Sequence, residues 1–168
     1  MTKVLVAYAT VYGSTREVAE AVSAAVRDCG LPVDCQPARK VSALDPYGAV
    51  ILGAPLYMFK WHKDALSFLS RHREALANRP LAIFALGPFG DDPNGFANAR
   101  ASLDKELLKF PWLKPVAIEM FGGKFDPQAL SLPYSLIPAL RKMAASDIRD
   151  WVAIRTWASE LPAKLLPA

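Results

Sequence analysis

The chain has 168 residues, 52% of them apolar and 21% charged, with a formal net charge of +4. That composition suits one domain, spanning 1–168, with a substantial core, and it excludes a disordered chain. The longest uncharged stretch late in the chain, 129–140, falls short of the roughly 18 apolar residues that cross a bilayer and carries Pro133 and Pro138.

Lysines and arginines are scattered rather than clustered, which argues against a nucleic-acid surface. Cys29 and Cys35 lack redox or metal-ligand spacing and read as reduced structural thiols, so no metal site is expected. Met1-Thr2-Lys3 runs straight into a strand, leaving no room for a signal peptide, and the expected location is cytoplasmic.

An apolar run from Lys3 to Ala9 predicts a buried first strand. Val18, Val22 and Val26 repeat at helical spacing and predict a helix over 16–29. Between them lies Thr10-Val11-Tyr12-Gly13-Ser14-Thr15, a hydroxyl-rich turn whose glycine allows close backbone approach. A helix N-terminus offers unpaired N–H groups and partial positive charge, so this turn suits a phosphate. The alternative is that Ser14 or Thr15 only caps the helix. Neither the nucleoside-triphosphate loop nor the Gly-x-Gly-x-x-Gly dinucleotide pattern is present.

A less buried second strand is predicted at 33–37 and a strong third at 48–53. The apolar segment Ala54 to Phe59 reads as a loop before a helix over 61–76, with His72 among arginines on its solvated face. A fourth strand, 81–86, runs into the turn-rich segment 87–95. A helix over 96–109 follows, with Phe96, Ala99, Leu103 and Leu107 as its inward stripe. A fifth strand is expected at 114–121 and a last helix at 150–166, loosened by Pro162.

Strands alternating with helices predict a doubly wound α/β fold: a five-stranded parallel sheet in the order 2-1-3-4-5, with helices on both faces. Such sheets bind ligands beside the carboxyl ends of their strands. That edge collects Thr10–Thr15, the 54–59 segment and the loop Gly87–Gly95, which opens with Gly87-Pro88-Phe89-Gly90. One loop suits phosphate; the others offer Pro55, Leu56, Tyr57, Met58 and Phe89 to something flat and apolar. Phosphate at one end and a planar ring at the other describe FMN.

The turn resembles the Thr-x-Thr-Gly-x-Thr phosphate loop of the flavodoxin family, with Tyr12 in place of the middle hydroxyl. The resemblance implies a flavodoxin-like fold. It makes Thr10, Val11, Tyr12, Gly13, Ser14 and Thr15 the phosphate ligands, and Pro55, Leu56, Tyr57, Met58, Gly87, Pro88, Phe89 and Gly90 the ring's neighbours. Ser14–Ala19, Gly53–Leu56 followed by His62, and 146–161 resemble more narrowly the branch containing menaquinone-dependent protoporphyrinogen oxidases, although Phe59 stands where those proteins carry glycine. That likeness implies an oxidoreductase exchanging electrons between a hydrophobic quinone or porphyrinogen and a redox partner. The alternatives are an electron carrier without its own substrate, which the basic balance disfavours, and a cofactor-free binding domain.

The apolar, proline-broken segment 124–145 reads either as a cover for the core or as a docking surface for a quinone, a porphyrin or a membrane face, with Arg141-Lys142 beside it. His62, opening the helix after the ring-flanking segment, is the one catalytic candidate.

Overall fold

The first apolar run forms β1 (Val4–Tyr8), buried throughout, and the turn after it leads into α1 (Ser14–Asp28). This computed structural model describes residues 2–90 and 92–168; Asp91, within the expected 87–95 turn, lies outside the described residues. Val18, Ala19, Val22 and Val26 form the buried stripe of α1. Then comes β2 (Val33–Pro37), half-buried as its mixed sequence predicts for an edge.

β3 (Ala49–Tyr57) overturns the expectation of a loop at 54–59: the strand continues to Tyr57 and folds back into β4 (Lys60–Trp61). Tyr57 pairs with Lys60, so Met58 and Phe59 alone make the turn, at φ +47° and +63°. Two left-handed central residues are the geometry that glycine and asparagine ordinarily supply, which is why Met-Phe did not read as a hairpin. Trp61 secures the return by donating its indole N–H to the Ala54 carbonyl at 3.0 Å.

The helix expected over 61–76 is two, α2 (Lys63–Arg71) and α3 (Arg73–Ala77), broken at His72. His72 is buried against the Phe68 ring, 4.7 Å between centroids, and not on the solvated face. Its arginine neighbour leaves room for this because Arg71 reaches sideways to the carbonyls of Ala38 and Val41. β5 (Leu81–Leu86) matches expectation, and α4 (Gly95–Leu107) buries Ala99 and Leu103. Phe96, expected in that stripe, lies in the helix's first turn and is 47% exposed, while Glu106 is buried and paired with Lys109 at 2.9 Å. β6 (Ala117–Phe121) starts later than expected. The segment after it contains β7 (Lys124–Phe125), α5 (Pro138–Arg141) and β8 (Ser146–Asp147), with β7 and β8 paired antiparallel. The chain closes on α6 (Trp151–Leu165), which runs through Pro162.

The strands order as β2-β1-β3-β5-β6, every neighbour parallel, with β4 attached to β3 alone. This is the expected topology once the short return strand is set aside. α1 and α6 cover one face; α2, α3 and α4 cover the other. At the centre, Gly53 of β3 lies beneath the Phe84 ring, where a Cβ would come within 1.9 Å of it. That ring in turn meets Phe121 and Trp157, with centroids 6.2 and 6.1 Å away.

A left-handed non-glycine residue costs about 1–2 kcal/mol, and the Phe59 side chain is 72% exposed, so little packing offsets that cost. Phe59→Gly is expected to raise the unfolding free energy by about 1 kcal/mol in urea titration; an unchanged or lower midpoint would mean the turn is not strained.

Candidate functional site

The turn after β1 is built from backbone bonds. Ala9 N–H donates to the Gly53 carbonyl at 2.9 Å, and Gly13 N–H to Thr10 Oγ1 at 2.9 Å. Gly13, at φ +92°, turns the chain into α1, and no side chain caps that helix. The capping alternative for Ser14 and Thr15 therefore fails. The first-turn N–H groups keep their partial positive charge without a side-chain partner. Four buried side-chain polar atoms among the described residues lack a partner, and two of them, the Tyr12 hydroxyl and Thr15 Oγ1, belong to this turn. An unmet buried hydroxyl costs about 1–3 kcal/mol, so two in one loop point to a ligand that pairs with them.

The loop is held from the far end of the chain. Arg149, buried, donates through Nη1 to the Ser14 carbonyl at 3.2 Å and lies 3.4 Å from the Glu17 carboxylate. Its Nε and Nη2 donate to the two Asp147 carboxylate oxygens at 2.9 and 2.7 Å, and the Trp151 ring lies 4.8 Å from the guanidinium. Those hydrogen bonds hold the Asp147 carboxyl below the usual carboxylate range. The role of Arg149 is not evident from the 146–151 sequence; an arginine flanked by two aspartates beside a tryptophan was the available signal.

Beside the loop opens a cleft of about 180 Å³. Tyr12 and Ser14 line it from the loop, Leu56, Tyr57 and Met58 from the β3 hairpin, and Phe89 from the turn after β5. Its remaining wall comes from the 124–145 segment, chiefly Phe125, Leu130, Tyr134 and Leu140. That segment thus forms one wall of the cleft. Phe125 stacks on Phe89 at 4.8 Å and 17°, Gly123 N–H donates to the Pro88 carbonyl at 2.8 Å, and Ser146 Oγ donates to the Phe89 carbonyl. The Tyr12 and Tyr57 rings meet edge to face at 6.4 Å. Burial first, then the neighbouring Tyr12 and Tyr134 phenols, push the Tyr57 hydroxyl up to about 12.

The other expected site residues scatter around this centre. Val11 is exposed, and Pro55 is buried with its carbonyl accepting from His62 N–H at 3.1 Å. Gly87 makes room for Met120 rather than for a ligand, since a Cβ there would lie 2.7 Å from its sulfur; Pro88 is half-buried, and Gly90 faces open space. His62 does not line the cleft: its Nδ1 accepts from Asp64 N–H at 3.0 Å and caps α2, and burial pushes its pKa down. Thr10 and Arg16 line a second hollow of about 480 Å³ with Tyr8, Arg39, Lys40 and Asp64. Arg39 and Lys40 make no ion pair among the described residues, so they add positive potential beside the loop.

The flavodoxin-domain family model matches residues 5–146, and the chain belongs to that family. The flavodoxin domain is an FMN-binding domain, and the turn's uncapped helix end and unpaired Thr15 hydroxyl beside an apolar cleft fit that group. Among curated proteins, the chain is 21% identical over 170 residues to protoporphyrinogen IX dehydrogenase [quinone] of Escherichia coli (strain K12), covering 95% of this chain and 94% of that one. Solved structures of similar fold include a flavodoxin from the domain Archaea, at TM-score 0.59 and 13% identity over 98% of this chain and 99% of that one. A flavodoxin of Streptococcus pneumonia TIGR4 superposes at TM-score 0.58, with 18% identity over 97% and 99%.

Arg149→Met removes the charged hydrogen bonds of a buried guanidinium and is expected to cost about 2 kcal/mol at neutral pH. Asp147 has its pKa lowered in the fold, so its contribution is present above the ordinary value of 3.8 and is lost as pH falls through the lowered one. The difference between wild type and variant, read by denaturant titration, should narrow below that pH; a constant difference would mean the Asp147 pair carries none of the stabilisation.

Proposed function

We propose that this domain is an FMN-dependent oxidoreductase that exchanges electrons between a flat hydrophobic substrate, a quinone or porphyrinogen, and a redox partner. The observation that carries this reading is the unpaired, buried Thr15 hydroxyl at an uncapped helix end, next to an apolar cleft. Thr10, Ser14, Thr15 and the backbone of Val11 to Gly13 would hold the phosphate, with the Arg39 and Lys40 charges nearby. Leu56, Tyr57, Met58 and Phe89 would flank the ring, with Pro55, Gly87, Pro88 and Gly90 shaping the backbone behind them.

Bound FMN supplies the one- and two-electron chemistry. The chain's own part is binding, orientation and exclusion of water. The 124–145 segment closes one side of the cleft, keeping the ring and substrate in low dielectric. Tyr57, pushed up to about 12, keeps its proton at neutral pH and serves as a donor there. The two compounds in the curated relative's name, protoporphyrinogen and quinone, support an apolar ring as the substrate class.

The outer side of that segment exposes Leu132 and Leu136, each 71% open, close in sequence to Arg141 and Lys142. We propose this side as the membrane- or partner-facing surface of a single 1–168 domain. No helix among the described residues is long and apolar enough to cross a membrane.

Purified protein should be yellow or take up FMN, with fluorescence quenching as the readout. Thr15→Ala should weaken FMN about tenfold or more, the worth of one hydrogen bond to a charged group. No quenching at high micromolar FMN would leave a cofactor-free domain. Binding with a stable semiquinone but no quinone turnover would leave a carrier.

A further inference from the structure

We infer that the hollow over the ends of β1 and β2 is a second binding site, distinct from the apolar cleft, and that it takes a nucleoside diphosphate. Phosphate charge meets its cations, and a sugar hydroxyl meets its one carboxylate. The inference goes beyond the flavin reading and does not depend on it.

The hollow and the cleft share no lining residue. In the order β2-β1-β3-β5-β6, the cleft draws on the ends of β3 and β5, and the hollow on those of β1 and β2. Tyr8 and Pro37 pair in register at those two strand ends. Arg16 comes from the first turn of α1 on one face of the sheet, and Asp64 from the first turn of α2 on the other. Both helix starts add partial positive charge. Arg39 and Lys40 stand on the short 3-10 turn Ala38–Lys40 that follows β2. That turn is braced: Ala38 and Val41 are buried, and their carbonyls accept from Arg71 Nη2 and Nη1 at 3.0 and 3.1 Å.

Three cations thus face one carboxylate across a hollow of about 480 Å³. A small organic ligand ordinarily occupies about 300–1,000 Å³, so there is more room than a lone phosphate fills. Among the described residues Arg39, Lys40 and Asp64 make no ion pair, and Arg16 spends only its Nε, on Glu20 at 2.9 Å. The cations repel one another until an anion enters, and a diphosphate carries enough charge for all three. Asp64 decides the rest of the ligand. A carboxylate only accepts, and bare phosphate would leave it facing an anion, whereas a ribose hydroxyl brings it a donor.

The test is isothermal titration calorimetry on the FMN-loaded protein at low salt, with ADP, pyrophosphate and adenosine as probes. ADP should bind one to one and more tightly than pyrophosphate, adenosine should not bind at millimolar concentration, and added KCl should weaken ADP. Arg39→Gln and Lys40→Gln should each weaken ADP about twofold to fivefold, the worth of an exposed ion pair. Asp64→Asn should weaken ADP about threefold yet tighten pyrophosphate, opposite changes that a loss of structure would not produce. Thermal unfolding checks that each variant folds. No ADP binding at millimolar concentration, or adenosine binding as well as ADP, refutes the site. Pyrophosphate binding as tightly as ADP, or an acidic peptide binding more tightly, shows a surface that collects any anion and also refutes it. Displacement of FMN by ADP would make the hollow part of the flavin-phosphate site and overturn the proposal. A protein that takes no FMN overturns the cofactor reading separately; the opposite responses of ADP and pyrophosphate to Asp64→Asn, measured on that protein, still decide the hollow.

Discussion

The packing of the Phe84 ring over Gly53 sets the geometry of the whole carboxyl edge. The two residues pair across β3 and β5, and the space a Cβ would fill is taken by the ring. The same ring leans on Phe121 of β6 and Trp157 of α6, so one missing side chain brings three strands and a helix to a common distance. The Gly53 carbonyl also accepts from Ala9 at the start of the turn after β1. A larger residue at 53 would move the strand ends apart, and with them the three segments that border the cleft.

The strands and their order were legible because buried parallel strands are short apolar runs and crossovers have one favoured hand. β2 and β5 begin and end where their residues predict. The readings that failed did so where long-range contact overrode local pattern. Met58 and Phe59 carry no turn signal, yet pairing of Tyr57 with Lys60 forces both into left-handed backbone. His72 sits in a charged neighbourhood, yet Arg71 finds carbonyl partners outside the helix and leaves the imidazole to the core. Phe96 keeps the right spacing but lies in the helix's first turn, where it stays half-exposed.

The candidate site divides along the same line. The turn after β1 was legible as a candidate anion site because its chemistry is contiguous: hydroxyls, one glycine and a helix start within six residues. The cleft wall was not, because Phe125, Leu130 and Tyr134 come from a proline-broken segment with no periodicity to say which side faces inward. Stacking of Phe125 on Phe89 decides that orientation, and it joins residues far apart in sequence. Gly87 shows the converse: the glycine was noticed, but its freedom is used by Met120 within the protein.

Arg149 has a consequence for how the candidate site is assembled. The guanidinium that grips Ser14 lies 135 residues along the chain from it, and the helix after it packs on α1. The turn after β1 is therefore braced by contacts remote in sequence, so local structure alone does not complete it, and its geometry arrives with the closure of the tertiary fold.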